Sequence, residues 1–120
     1  MSGPAAAAPL DLARLEAFAA DVDDAATVDS VLDAYLGQLP VRRDGIARAV
    51  RRGDLAAVAD LGHALRASSA MLGAQRLAEL ASMLERTARA GRLDDVRASA
   101  APLTSECAAL DLALRAWRRR

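Results

Sequence analysis

The chain contains one histidine, His63, set in Asp60-Leu61-Gly62-His63-Ala64-Leu65-Arg66-Ala67-Ser68-Ser69-Ala70-Met71-Leu72-Gly73-Ala74. A neutral imidazole nitrogen is a good nucleophile toward phosphorus, and an ordinary pKa of about 6.5 leaves most of it neutral at pH 7. A phosphoryl group received there brings negative charge and three acceptor oxygens. Arg66, three residues on, shares the helix face of His63 and is placed to neutralise part of that charge. Phosphoryl transfer asks for positioning and charge stabilisation more than for covalent help. A partner can therefore bring the metal and the acceptor carboxylate while this chain supplies only the carrier nitrogen.

Other chemistries fit poorly. One His63 and one Cys107, far apart in sequence, do not make a zinc set. Ser68 and Ser69 adjoin the histidine, but helical spacing turns both away from it. They are expected to bond back to backbone carbonyls and to let a neighbouring helix come close. No Gly-rich phosphate loop, Walker lysine or dinucleotide fingerprint occurs, so the sequence offers no ATP site and no resident cofactor or metal. The chain is not expected to be an enzyme in its own right.

The element that must position His63 is a helix running from Leu55 to Leu72. At about 100° per residue Leu55, Val58, Leu61, Leu65 and Leu72 gather on one side of it. His63 falls roughly 150° from the centre of that side and so faces solvent. Ala56, Ala59, Ala67 and Ala70 surround it as a low apolar ring on which a partner can dock. Gly53-Asp54 stops the preceding unit and caps this helix, and Gly73 ends it. A following helix carries Leu77, Leu80, Ala81, Leu84 and Ala88 up to Gly91, and so tight a turn requires the two to pack antiparallel.

Before this pair, Asp11 caps a short helix with apolar positions Leu12, Leu15, Phe18 and Val22. A second segment follows through Val28, Val31, Leu32, Tyr35 and Leu39 to Ile46 and Val50, and Pro40 is expected to kink or break it. After the pair, Leu93, Val96, Ala100, Leu103, Cys107, Leu110, Leu114 and Trp117 form a heptad-like run in which Pro102 marks a bend or a restart. The sum is an all-α, up-and-down antiparallel four-helix bundle with a short N-terminal helical extension. Residues 1–9 read as a flexible leader and residues 10–120 as the bundle domain.

Composition agrees. A length of 120 residues suits one domain, and 53% hydrophobic with 27% charged residues places the chain among globular proteins. Aromatics make up only 2%, so alanine-rich helices must approach closely rather than interdigitate bulky side chains. All 16 basic residues are arginines and balance 16 acids, which leaves no electrostatic footprint for nucleic acid. No apolar run reaches the ~20 residues of a membrane span, and the start lacks the pattern of a signal peptide. A single Cys107 fits a reducing, cytoplasmic setting.

The stretch from His63 to Ala74 closely resembles the signature of histidine-containing phosphotransfer (HPt) domains, usually His-x-Leu-Lys-Gly-Ser-Ser/Ala-x-x-Leu-Gly-Ala. Leu77, Leu84-Glu85, Arg89-Ala90-Gly91 and the upstream Gly53-Asp54 also stand at that family's spacing, so the resemblance runs from about Leu10 to Trp117. Arg66 replaces the usual lysine and Ala67 the usual glycine, which keeps the charge but alters its shape and adds a methyl beside the histidine. The resemblance implies a four-helix bundle whose His63 takes a phosphoryl group on Nε2 from a receiver-domain aspartate and passes it to another. The implied partners are receiver domains of a hybrid histidine kinase or of response regulators, the receiver bringing the Mg²⁺. The carrier is expected to be a monomer that binds neither nucleic acid nor membrane. Glu85 matches a position that in some members hydrogen-bonds the Nδ1 of the histidine.

Two other readings compete. A kinase dimerisation helix pair carries an acid directly after its histidine and a proline soon after, where this chain has Ala64 and an unbroken helix. A receiver-binding scaffold or phosphate sink, without onward transfer, shares every feature of the carrier.

Overall fold

The computed structural model describes residues 8–119, so residues 1–7 of the expected leader and Arg120 lie outside the described residues. Six helical segments follow one another: α1 (Leu12–Val22), α2 (Ala25–Arg52), α3 (Leu55–Met71), α4 (Gln75–Arg89), α5 (Leu93–Ala98) and α6 (Ala100–Arg118). There is no strand among the described residues. Helices α2, α3, α4 and α6 make the bundle, and α1 lies across its end as the expected extension.

Local chemistry explains the boundaries. The Asp11 carboxylate accepts the Arg14 N–H at 3.2 Å and starts α1. Asp24 starts α2 by accepting the Ala26 N–H at 3.2 Å and the Thr27 hydroxyl at 2.7 Å. Asp54 does the same for α3 through the Ala57 N–H at 3.1 Å. Each satisfies donors that a helix N-terminus leaves unpaired. Gly53, with φ of 69°, closes α2 in the left-handed conformation expected of it.

Gly73 is more constrained. Its φ is 85°, and a Cβ there would stand 2.7 Å from the Asp11 carbonyl oxygen. The Asp11 N–H donates to the Gly73 carbonyl at 2.7 Å, so a backbone hydrogen bond ties the start of α1 to the α3–α4 turn.

Two expectations, at Pro40 and Leu12, need correction, and the alternative left open at Pro102 is resolved. Pro40 does not break its segment, because α2 runs continuously for 28 residues with Pro40 inside it. Leu32, Leu36 and Leu39 before it and Ile46, Ala49 and Val50 after it all enter the core. That burial outweighs the roughly 3 kcal/mol a proline costs inside a helix. Pro102 marks a restart: α5 stops at Ala98 and α6 begins at Ala100, which puts Pro102 in the first turn where its missing N–H is no loss. Leu12 is 52% exposed rather than buried, so α1 anchors through Leu15.

The core is continuous across all layers, with Leu15, Leu32, Ile46, Leu65, Leu84 and Leu110 fully enclosed. Helices α3 and α4 approach most closely, because small residues line their seam. Gly62 has so little clearance that a Cβ would meet the Ala81 carbonyl oxygen at 3.1 Å. One buried polar link crosses the bundle: the Tyr35 hydroxyl on α2 meets the Ser69 hydroxyl on α3 at 2.8 Å. Ser69 therefore spends its hydroxyl on a neighbouring helix rather than on its own backbone. Ser68 does bond back, to the carbonyls of Ala64 and Leu65.

Candidate functional site

The tight α3–α4 seam sets the site. Gly62 lets the backbone of α4 pass within contact distance, with the Glu85 N and Cβ at 3.5 and 3.6 Å from where its own Cβ would be. The next residue on α3 is His63, so Glu85 is delivered directly beside the imidazole. Arg66, one turn further along α3, leans back toward the same point.

The His63 side chain is 57% exposed and stands on an open helix face. Its Nδ1 lies 3.3 Å from the Glu85 Oε2. The same Nδ1 lies 3.1 Å from the Arg66 Nη2. The Arg66 Nε stands 3.6 Å from the Glu85 Oε1, which closes a triangle of three side chains. Arg89, one turn along α4, donates to the Glu85 Oε2 through Nη2 at 3.2 Å and Nε at 3.3 Å. Its Nη2 also reaches the Asp60 carboxylate on α3 at 3.6 Å. His63 across the seam, as the resemblance implies, and Arg89 one turn along α4 both reach Glu85.

The electrostatics follow. Partial burial of Glu85 on the helix seam acts to raise its carboxyl. The Arg89 hydrogen bond and the adjacent His63 outweigh that and hold the carboxyl below the ordinary glutamate range. Glu85 is thus a carboxylate at neutral pH, with cations or donors on every side.

The proposed docking ring divides. Ala56 and Ala67 are exposed and Ala70 is half-buried. Ala59 is 1% exposed and belongs to the core, because it lies one turn before Gly62 on the seam that meets α4. An alanine count on a helical wheel cannot tell a docking methyl from a packing one. Asp60 and Arg89 are the residues of this cluster whose joint placement the sequence did not reveal, since their pairing crosses two helices.

A hollow of about 650 Å³ lies between α4 and α6, lined by Arg76, Met83 and Glu106 among others, away from the histidine. Among the described residues no three or more His, Cys, Asp or Glu side chains gather as a metal site. None of the described helices is long and apolar enough to cross a membrane. The His63 side chain, 57% exposed beside Glu85 and Arg66, stands open to solvent.

Comparison with known proteins agrees with this arrangement. A family model described as the Hpt domain matches residues 30–119, which span most of α2 and all of α3 to α6. The chain belongs to the Hpt domain family. Its fold is also similar to the crystal structure of histidine-containing phosphotransfer protein B (HptB) from Pseudomonas aeruginosa PAO1, with a TM-score of 0.86 and 25% identity. That match covers 99% of this chain and 98% of the other, so the α1 extension lies within the shared architecture as well. Comparison with curated protein sequences gives no match. The single histidine of this Hpt domain stands on α3 with its side chain 57% exposed.

Proposed function

We propose that this Hpt domain is a histidine phosphocarrier in a multistep His–Asp relay and that His63 Nε2 is the atom carrying the phosphoryl group. The observation that supports it best is the sole histidine of the chain standing 57% exposed, with a carboxylate and a guanidinium within 3.3 Å of its inner nitrogen. The outer nitrogen is left to a partner.

In the step itself, the Nε2 lone pair attacks the phosphorus of a receiver aspartyl phosphate. The N–P bond forms as the acyl O–P bond breaks, and the aspartate leaves with that electron pair. The ring then bears positive charge with a proton on Nδ1, which the Glu85 carboxylate is placed to accept as a hydrogen bond. Arg66 neutralises part of the charge on the arriving phosphoryl oxygens. The reverse sequence, onto a second receiver, completes the relay. The Mg²⁺ belongs to the receiver, and Ala56, Ala67 and Ala70 beside His63 form the surface on which it sits.

The test is transfer from a phosphorylated receiver domain to the full chain, followed with labelled phosphate. His63→Gln is expected to abolish acid-labile label while leaving the helical circular dichroism unchanged. Label retained on that variant would overturn the reading. Label that reaches His63 but moves to no second receiver would reduce the function to a phosphate sink.

A further inference from the structure

Two groups contend for one nitrogen. Arg66 carries only donors, so its 3.1 Å approach to His63 Nδ1 is a hydrogen bond only when Nδ1 holds a lone pair. A Glu85 carboxylate carries only acceptors, so its 3.3 Å approach to the same atom is a hydrogen bond only when Nδ1 holds a proton. In the neutral ring these are the two tautomers, and they have opposite consequences at the outer edge. With Arg66 bonded, the proton sits on Nε2 and the outward nitrogen has no lone pair in the ring plane. With Glu85 bonded, Nε2 is bare and nucleophilic.

The surroundings favour the first in the resting chain. The Arg66 contact is the shorter. Glu85 Oε2, the oxygen facing the ring, already accepts two N–H groups of Arg89 at 3.2 and 3.3 Å. Arg89 is itself steadied by Asp60 across the seam. In the resting chain Nδ1–H would have to share that oxygen with Arg89, whereas among the described residues no other group competes for the Arg66 Nη2.

We propose that Arg66 is a tautomer brake on His63: its guanidinium holds the resting ring in the unreactive Nε2–H form, and its departure toward an incoming phosphoryl group hands Nδ1–H to Glu85 and frees Nε2. This rests on the carrier reading above and adds its regulation. The exchange balances through solvent. Nδ1 takes a proton from water as Nε2 gives one to water, and a ring 57% exposed has that water at hand. Charge brings the two events together. A dianionic phosphoryl group is a stronger partner for a guanidinium than a neutral imidazole nitrogen is, so the donor releases the brake as it arrives. Arg66 is thus a positioning residue before transfer and a charge partner during it. A spurious donor that does not engage Arg66 meets a nitrogen without a lone pair.

Because His63 is the only histidine, long-range ¹⁵N–¹H correlation spectra of the ¹⁵N-labelled full chain at pH 8.5 read its tautomer without assignment and without any phosphate. The wild-type ring is expected to be mostly Nε2–H. Arg66→Met keeps the apolar stem but removes the donors, and is expected to raise the Nδ1–H to Nε2–H ratio about threefold to tenfold, the range for an exposed hydrogen bond to a charged group. Glu85→Ala is expected to leave the resting tautomer in place. A wild-type ring mostly in the Nδ1–H form, or a ratio that ignores Arg66→Met and follows Glu85→Ala, would overturn the brake. Neither result touches the carrier reading, which stands or falls on labelled phosphate and His63→Gln.

Discussion

Glu85 concentrates the chemistry of this surface, because one carboxylate faces His63, Arg66 and Arg89 at distances between 3.2 and 3.6 Å. In the proposed transfer the ring comes to need an acceptor for Nδ1–H, and Glu85 is the carboxylate in reach. Glu85→Ala is therefore expected to slow phosphorylation by a charged receiver about threefold to tenfold, the effect of losing one modest hydrogen bond. Rapid-mixing transfer assays measure it, and an unchanged rate would leave Glu85 as a partner of Arg89 only. At this scale the sequence was most informative where identity alone decides function. A sole histidine with an arginine three residues on is legible in one line. The contact of Arg66 with Nδ1 was not legible, since helical periodicity gives the face of a residue and not the torsions of a long side chain. Ala59 failed for a related reason: a methyl fits a dock or a seam equally well, and only the nearness of α4 decides.

At the scale of elements, the bundle is tied by a buried hydroxyl pair as well as by leucines. Tyr35 and Ser69 meet at 2.8 Å with residue exposures of 7% and 0%. Removing one partner strands the other away from water. Tyr35→Phe and Ser69→Ala are each expected to cost about 1–3 kcal/mol, while the double variant costs clearly less than the sum. Urea unfolding of the four chains gives the cycle, and strict additivity would show that the hydroxyls do not depend on each other. Sequence pattern marked Tyr35 as core and Ser69 as small, but nothing local pairs residues 34 positions apart. Pro40 shows the opposite failure. Local chemistry spoke for a kink or a break, and apolar residues on both sides of it, leucines before and Ile46, Ala49 and Val50 after, overrode the break by entering the core. Caps and stops, by contrast, were read correctly at Asp11, Asp54, Gly53 and Gly73, because each is settled by a few neighbouring backbone groups.

For the whole molecule, equal numbers of acids and arginines make net charge a weak lever on stability, so pH acts through particular groups. On the acid side, Asp24 is lowered chiefly by the Thr27 hydroxyl at the start of α2, and Asp44 by its Arg43 hydrogen bond. At Glu85 burial is the largest influence and acts upward, but Arg89 and His63 together leave it lowered. Groups lowered by folding release protons more readily folded than unfolded. Their stabilisation is complete above the unfolded carboxylate range near about 4 and is lost as pH falls below it. On the alkaline side, burial raises the Cys107 thiol from 9.0 to about 11 and the Tyr35 phenol from 10.0 to about 12. Groups raised by folding hold their protons longer folded than unfolded. Their contribution is intact below the unfolded values and disappears as pH climbs through the folded ones. The expected profile is a plateau of melting temperature from about pH 5 to pH 9, with an acid fall and a separate alkaline fall through pH 11 to 12. Cys107→Ala and Tyr35→Phe should each flatten the alkaline limb without moving the acid one, whatever they cost at neutral pH. Calorimetric melts across the range test this, and an alkaline limb that keeps its slope in both variants would place the titrating groups elsewhere in the fold.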